Sequence, residues 1–324
     1  MSNEPIILDE EFEARLDNDL NDWLTQIALP AVDVTDAFEK RAVALDGIEG
    51  YNEEPAAESR SIDVVPESIV MIFKRPSIII RNGSFQIPES PTWADLLRQV
   101  RPKIAPSLPA IGRIEVDNHP RLHAVGSAFL LPDGIVATNR HVAMDFVERQ
   151  GEGYRFAVSS RGRQLSAAID FREEHTVPVI EDEHALTDIL YVADPGDPDL
   201  AFFKCPTATE REHLLLSTTV SPQDAVVTIG YPFEDGRLRP DLKEAADRIF
   251  GNVYEVKRLA PGKVKSIDPV SVSHDCTTLH GNSGSALLKM ATGEVVGIHH
   301  GGGITANYAV AAEEVLRTLE RITG

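Results

Sequence analysis

A serine on a tight glycine turn is the feature of this sequence that is best suited to carry out chemistry. The stretch Gly281-Asn282-Ser283-Gly284-Ser285 combines residue types that favour turns, and Gly281 can adopt a backbone conformation that a Cβ atom would obstruct. Such a turn can direct the N–H groups of Gly281 and Ser283 to one point, where a developing oxyanion would be stabilised. Because a serine hydroxyl alone is a weak nucleophile, this chemistry also needs a general base and a third group that orients the base.

His141 is the candidate general base. It follows an apolar, strand-like run at residues 134–138, and a turn at residues 132–134 separates this run from another apolar segment at residues 127–131. The pattern predicts a β-hairpin that ends just before His141, with the histidine at the start of a short helical stretch.

An aspartate in front of a further strand supplies the candidate orienting group. Asp199 precedes the apolar run Leu200–Phe203, which predicts a buried strand. An acid just before the start of such a strand can reach an imidazole and fix which of its two nitrogens carries the hydrogen. Asp197 and Asp188 lie nearby, and Asp188 also precedes a strand-like run, so it is the main alternative for this role.

In the chain order His, Asp, Ser, these segments resemble the trypsin-like serine peptidases, with spacings of 58 and 84 residues. The resemblance covers residues 110–324 and implies an all-β fold of two six-stranded antiparallel β-barrels. It also implies that Ser283 is the nucleophile and His141 the general base and acid. Asp199 is the implied orienting group, because Asp-Leu-Ala followed by two apolar residues is typical of the family. The implied activity is that of a serine endopeptidase, which cleaves protein or peptide substrates through an acyl-enzyme intermediate.

Two residues near the serine are similar to those of the V8-like glutamyl endopeptidase branch. Thr278 lies five residues before Ser283, and His299 lies in the next predicted strand; in that branch, these positions bind the carboxylate of the substrate residue P1. A hydroxyl and an imidazole can both donate to a carboxylate, and charge-assisted hydrogen bonds are the stronger ones. The resemblance therefore implies cleavage after Glu or Asp. Two alternatives stay open: His299 is a structural histidine of a buried strand, or the enzyme is HtrA-like and prefers apolar P1 residues.

The composition argues against several classes of protein. The 324 residues carry a net charge of −20, and 18 of the 51 acidic residues lie in the first 70 positions, against 4 basic residues there. Since phosphate binding needs Lys and Arg, nucleic acid is not an expected partner.

The N-terminus lacks basic residues and no apolar run reaches eighteen residues, so we expect neither a signal peptide nor a membrane span. Only two cysteines occur, Cys205 and Cys276, both expected to be free thiols, and the predicted location is cytoplasmic.

Neither a cofactor nor a metal is predicted. Several histidines and one cysteine cluster in sequence near the serine, and zinc sites use such residues. Their spacing lacks the paired Cys-x2-Cys pattern, so the sequence predicts no metal site. The residues in this cluster are His274, Cys276, His280, His299 and His300.

Three regions are predicted along the chain: an acidic helical extension with a linker at residues 1–67, a hairpin–helix connector at residues 68–109, and the peptidase domain at residues 110–324. In the connector, Asn82–Gly83 predicts a hairpin turn and residues 93–100 predict a helix. In the extension, apolar residues at helical spacing predict an amphipathic helix. These residues are Phe12, Leu16, Leu20, Trp23 and Ile27.

The extension has more than one interpretation. It packs as a small accessory core, or it docks a partner protein or regulates the enzyme. If P1 is Glu, the acidic linker contains candidate self-processing sites at Glu53, Glu54 and Glu58, and a plain solvated tether is the alternative. For the whole chain, the alternative to an active endopeptidase is a latent interaction protein with a peptidase fold.

Overall fold

The computed structural model describes residues 75–88, 90–175, 182–236, 240–302 and 306–324. The strands are β1 (Ile78–Arg81), β2 (Ser84–Phe85), β3 (Ile111–Asp117), β4 (Ala124–Leu131), β5 (Ile135–Thr138), β6 (Val147–Gln150), β7 (Gly153–Phe156), β8 (Ser166–Asp170), β9 (Glu183–Ala185), β10 (Asp188–Val192), β11 (Ala201–Lys204), β12 (Ala225–Gly230), β13 (Arg258–Ile267), β14 (Ser271–His274), β15 (Ala286–Lys289), β16 (Val295–Gly302) and β17 (Asn307–Ala311). The helices are α1 (Pro91–Ile104), α2 (Arg140–Ala143), α3 (Pro240–Phe250) and α4 (Ala312–Thr323). The predicted helix of the extension and the three candidate processing sites lie outside the described residues.

The second half of the predicted peptidase domain is a closed barrel of six antiparallel strands. The strand order is β12-β15-β16-β17-β14-β13, and β13 pairs back onto β12 to complete the ring. The interior is apolar, because strands such as β12 and β15 are buried along their whole length. Closure leaves no free edge between these six strands, so the barrel is a rigid support for the loops at its ends.

The first half is a curled antiparallel sheet of seven strands, in the order β10-β11-β5-β4-β3-β8-β9. Among the described residues, its two end strands do not pair with each other. One continuous apolar cluster joins both halves, and it includes Phe129 and Phe203 from this sheet and Ile229 and Leu288 from the barrel. The predicted all-β, two-barrel architecture is confirmed, with a seven-stranded open sheet in place of a six-stranded first barrel.

The connector packs onto the second barrel. Strand β1 pairs with β13, so that Ile78 lies opposite Leu259, and β2 folds back on β1 through the predicted turn. Asn82 and Gly83 both have positive φ angles, of 51° and 68°, which the primed hairpin turns require. The described connector is therefore continuous with the folded body, and the predicted division at residue 110 stays a prediction.

Helix α1 contains the predicted helix and extends beyond it. The Ser90 hydroxyl accepts a hydrogen bond from the Trp93 N–H at 3.3 Å, which caps the first turn. The helix continues through Pro102 as far as Ile104. Its buried face follows helical spacing and lies in the main core. The residues of this face are Trp93, Leu97, Val100 and Ile104.

No helix in the described parts of the chain is long and apolar enough to cross a membrane.

A buried lysine joins three segments of the fold. The ammonium group of Lys257 donates to the carbonyls of Leu108 at 2.9 Å and Phe171 at 2.7 Å, and lies 3.6 Å from Glu174 Oε1. The other oxygen of Glu174 accepts from the Gly83 N–H at 2.7 Å. Burial lowers the pKa of Lys257 to about 8. The connector, the end of β8 and the start of β13 are thus held by one cation.

Replacing Lys257 with methionine should destabilise the protein strongly. The substitution leaves Glu174 as a buried, unpaired carboxylate and removes the donor to two carbonyls, so the free energy of unfolding should fall by about 3–5 kcal/mol. Chemical denaturation monitored by fluorescence measures this change. Lys243→Met is the control, because Lys243 pairs with Glu234 and Asp247 at the surface and should matter little. Equal stability of the two variants would contradict the assigned role of Lys257.

Candidate active site

The pairing of β5 with β11 brings His141 and Asp199 together. Ala201 lies opposite Thr138 in this pairing, so the residues just outside the two strand ends are neighbours. Asp199 Oδ2 lies 2.5 Å from His141 Nδ1, and Asp199 Oδ1 accepts from the backbone N–H of His141 at 3.0 Å. Asn139 Nδ2 adds a hydrogen bond to the carbonyl oxygen of Asp199 at 2.9 Å. Both carboxylate oxygens therefore fix the position of His141.

The carboxyl of Asp199 is ionised at neutral pH. Burial alone would raise its pKa, but the hydrogen bonds and charge of His141 outweigh burial and lower the pKa below its ordinary value. An ionised Asp199 can only accept, so Nδ1 of His141 carries a hydrogen, and in the neutral imidazole Nε2 is then the acceptor nitrogen. This is the tautomer that a general base needs.

The two rival aspartates lie elsewhere. Asp188 is at the start of β10, where it pairs in register with Lys204 and accepts a hydrogen bond from the Thr187 hydroxyl at 2.8 Å. Asp197 is exposed in a turn closed by its own N–H and the carbonyl of Asp194. Of the three candidates, the structure brings Asp199 to His141.

The turn that carries Ser283 is bound to both halves of the molecule. The carbonyl of Ser283 accepts from the Ser127 N–H at 2.8 Å, and the Gly284 N–H donates to the carbonyl of His299 at 2.8 Å. Ser127 belongs to β4 in the first sheet, and His299 belongs to β16 in the barrel. Ser283 is therefore located at the seam between the two halves.

Gly126 brings the serine turn next to the helix that carries His141. A Cβ atom on Gly126 would lie 2.9 Å from Val142 Cγ2 and 3.1 Å from the carbonyl oxygen of Ser283. Only the missing side chain lets these two segments approach from opposite sides. Val142, the neighbour of His141 in the chain, and the carbonyl of Ser283 thus both lie next to Gly126.

The glycine turn leaves two amides available. Gly281 has φ +88°, and a Cβ atom there would lie 2.6 Å from the Phe233 ring. In the described part of the chain, neither the Gly281 N–H nor the Ser283 N–H donates to a protein acceptor, whereas Asn282, Gly284 and Ser285 all donate. The two backbone N–H groups that are predicted to stabilise an oxyanion therefore have no hydrogen-bond acceptor among the described residues.

Thr278 and His299 are both fully buried, and each has a polar atom with no hydrogen-bond partner within bonding distance among the described residues. These atoms are Thr278 Oγ1 and His299 Nε2, and both residues have no exposed surface. A buried polar atom without a partner costs free energy, so each such atom calls for an explanation, of which ligand binding is one. Thirteen side-chain atoms of the described residues are of this kind. The two residues predicted from the sequence to bind P1 carry two of these atoms.

A second histidine sets the tautomer of His299. The Cys276 N–H donates to His274 Nδ1 at 3.3 Å, so His274 carries its hydrogen on Nε2. That Nε2 lies 3.3 Å from His299 Nδ1, and if it donates there, His299 carries its hydrogen on Nε2. A backbone hydrogen bond with Tyr308 also acts on the imidazole of His299 and raises its pKa, against the effect of burial. In this tautomer, His299 Nε2 is a donor.

Both imidazoles are neutral in the free protein. Burial lowers the pKa of His274 to about 3 and lowers the pKa of His299 well below its ordinary value. His300 is next in the chain, and burial lowers its pKa as well, although the charge of Asp199 acts in the opposite direction. The site thus offers hydrogen-bond donors without a fixed positive charge.

The comparison with known proteins identifies the family. The family model described as trypsin-like peptidase domain matches residues 126–298, about half of the chain. The chain belongs to the trypsin-like peptidases. A probable serine protease of Lysobacter enzymogenes is 27% identical, over 73% of this chain and 69% of the relative. The crystal structure of Rv3671c protease in an inactive form matches 69% of this chain and 93% of that chain, with a TM-score of 0.43 and 17% identity.

Within this trypsin-like peptidase, some site residues have no clear signal in the sequence. His274 is notable in the sequence only as a member of the histidine and cysteine cluster weighed for zinc, and its contact with His299 depends on the barrel. The matched region also begins at Gly126, whose role at the seam of the peptidase shows only once both halves are folded. Within the described ranges, no group of three or more His, Cys, Asp or Glu side chains is arranged to hold a metal. Cys205 and Cys276 are both buried and unpaired.

Proposed function

We propose that this peptidase is a serine endopeptidase that cleaves peptide bonds through an acyl-enzyme on Ser283. The observation that carries the proposal is the pair of hydrogen bonds that Asp199 accepts from His141, together with a serine whose turn leaves two amides available. His141 Nε2 would take the proton of Ser283 Oγ as this oxygen attacks the substrate carbonyl. The N–H groups of Gly281 and Ser283 would then stabilise the oxyanion.

The same geometry supplies the later steps. The protonated His141 would give its proton to the leaving amine as the peptide bond breaks, which leaves the acyl group on Ser283 Oγ. A water molecule would then lose a proton to His141 and attack the acyl carbonyl, which regenerates the Ser283 hydroxyl. Asp199 stays ionised throughout and stabilises the imidazolium.

We further propose that the enzyme prefers Glu or Asp at P1, as in the V8-like branch. The support is the pair of buried donors, Thr278 Oγ1 and His299 Nε2, which have no partner in the described structure. A carboxylate accepts from both donors and raises the pKa of the imidazole that it contacts, so His299 gains a proton as the substrate binds. An apolar P1 residue would leave both donors unpaired, which disfavours the HtrA-like alternative.

Covalent labelling combined with a peptide library tests both proposals. Diisopropyl fluorophosphate should add one phosphoryl group to the wild type, at Ser283, and none to Ser283→Ala, as measured by intact mass. The wild type should cut the library after Glu or Asp. Cuts after apolar residues instead would support the proposed endopeptidase activity but exclude the acidic P1 preference. A protein that is neither labelled nor active, also after removal of residues 1–74, would be an interaction protein with a peptidase fold.

The preference for Glu over Gln at P1 should increase as the pH falls. Free His299 is neutral because burial lowers its pKa, and a bound carboxylate raises that pKa, so binding of P1 Glu takes up a proton. A neutral glutamine side chain causes no such uptake. The measurement is the ratio of kcat/KM for paired Glu and Gln substrates, at pH values above the substrate pKa of about 4.3. Titration of His141 cancels in this ratio, and the ratio should be independent of pH in His299→Gln.

For residues 1–74 we propose a regulatory or docking role, with self-processing in the acidic linker. The support comes from the sequence: Glu53, Glu54 and Glu58 would fit an acidic P1 preference. Intact mass of the wild type beside Ser283→Ala tests this, because only the wild type should lose N-terminal fragments. Identical N-termini in both proteins would leave the extension as a tether or as a docking site for a partner protein. The cytoplasmic location stays a prediction.

A further inference from the structure

Arg75, where the described chain begins, is attached to the segment that leads into the serine turn. Its Nη2 atom donates to Asp275 Oδ2 at 2.6 Å, and the two side chains are only 2% and 3% exposed. Its carbonyl oxygen accepts from Thr277 Oγ1 at 2.7 Å. One charged group and one neutral group of Arg75 thus hold residues 275–277, immediately before Thr278.

The barrel holds the same segment from its other side. Asp275 Oδ1 accepts from the Lys263 N–H at 2.6 Å, and Asn307 Nδ2 donates to the carbonyl of Cys276 at 2.6 Å. Both oxygens of Asp275 are therefore used, one by β13 and one by Arg75. Without the guanidinium, a buried carboxylate would lose its only partner of opposite charge among these contacts, and buried unpaired charges are strongly unfavourable.

Arg75 comes from outside the part of the chain that defines the family. The family match covers residues 126–298, whereas Arg75 precedes β1 and lies 5.4 Å from the ring centroid of Trp93 in α1. This distance allows a cation–π contact, so the connector helps to hold the guanidinium in place. The first described residue is therefore bound to the segment that leads to Thr278.

We propose that Arg75 is a positioning residue for P1 recognition. Through Thr277 and Asp275, it sets the position of Thr278 Oγ1. Through Asp275 and the neighbouring Cys276, whose N–H fixes the tautomer of His274, it sets the direction of the donor on His299. Arg75 itself touches neither substrate nor the reacting atoms. The inference rests on the proposed acidic P1 preference.

The test separates P1 recognition from the chemistry at Ser283. Arg75→Met should lower kcat/KM for a P1 Glu peptide by roughly tenfold to a hundredfold, because displacements of about 1 Å in a site have effects of this size. The matching P1 Leu peptide should change little. The rate of Ser283 labelling by diisopropyl fluorophosphate should also change little, because this reagent has no P1 side chain. Asp275→Asn should act in the same direction as Arg75→Met.

Two further variants control for a general loss of stability. Lys289→Met breaks another buried ion pair of the same barrel, with Asp224 at 2.8 Å, and should not change the ratio of Glu to Leu cleavage. The double variant Arg75→Met, Asp275→Asn should recover much of the P1 Glu activity, because it contains no unpaired charge and keeps the acceptor for Lys263. If Arg75→Met does not fold, Arg75→Lys replaces it, with a smaller loss expected.

The outcomes distinguish this inference from the proposed function. The role of Arg75 would be overturned if Arg75→Met lowered the cleavage of both peptides and the labelling rate in parallel, in the way expected of a general loss of stability in Lys289→Met. It would also be overturned if Arg75→Met changed none of these quantities. Both results would leave the peptidase proposal intact. A wild type that cleaves after apolar residues only would overturn the acidic P1 preference and the role of Arg75 with it. A selective loss for P1 Glu, rescued by the double variant, supports the role of Arg75.

Discussion

Replacing Asp199 with asparagine is expected to lower kcat by about 10⁴-fold while leaving the fold intact. In the wild type, Asp199 Oδ2 accepts from His141 Nδ1. An asparagine Nδ2 at this place would donate to Nδ1 instead, which moves the hydrogen of the imidazole to Nε2. His141 could then no longer accept the proton of Ser283. The asparagine Oδ1 would still accept from the backbone N–H of His141, so the geometry should survive.

Steady-state kinetics on the preferred peptide measure the loss, and Asp188→Asn and Asp197→Asn are the matched controls. Both control residues lie near Asp199 in the chain, but the described hydrogen bonds of Asp188 and Asp197 are to groups other than His141. Their variants should keep kcat close to that of the wild type. If Asp188→Asn were as slow as Asp199→Asn, the assignment of the orienting acid would be wrong.

The three candidate triad residues could be predicted from the sequence, because their signals are local, and the architecture was implied by the family resemblance that these residues carry. His141 and Asp199 each lie next to a short apolar strand, and Ser283 lies on a turn that only glycine permits. Bringing His141 to Asp199 required one further condition, the pairing of β5 with β11. Because β6 to β10 lie between these two strands in the chain, only the family resemblance, and no local pattern, implied this pairing.

The supports of the site could not be predicted in this way, because they join residues that are distant in sequence. Arg75 contacts Asp275 across 200 residues, and His274 contacts His299 only because β14 and β16 both pair with β17 in the closed barrel. No spacing rule applies to such contacts. A lone arginine before a strand, or a histidine near a cysteine, does not by itself indicate which distant residue it will contact.

The unpaired end strands of the first sheet show a similar limit of prediction from the sequence. The resemblance implies two six-stranded barrels, whereas the described residues of the first half form seven strands, of which the end strands β9 and β10 are both short. Apolar alternation predicts that a segment is a strand, but the closing of a sheet depends on curvature and on the loops between strands. The connector strand β1, which extends the barrel sheet, also depends on such long-range pairing.

Loss of the two buried donors is expected to change the P1 preference more than any other substitution away from the triad. A site built to bind a polar group rejects a substrate without that group by about 10⁴-fold, since its own buried groups are then left unpaired. We therefore expect the wild type to prefer P1 Glu over P1 Leu by about that factor. Thr278→Val keeps the volume of the side chain and removes one donor, which should lower kcat/KM for P1 Glu by about 10–100-fold.

His299→Leu should have the larger effect, about 10³-fold or more on P1 Glu, because it removes both the donor and the group that gains a proton when the carboxylate binds. The P1 Leu peptide should improve in the same variant, since no unpaired imidazole remains in the pocket. His280→Leu is the control: this histidine also lies beside the serine turn but is exposed, and its variant should affect both peptides equally. A preference for Glu that survives in both Thr278→Val and His299→Leu would show that the carboxylate binds elsewhere, and the two buried atoms would then have a structural role only.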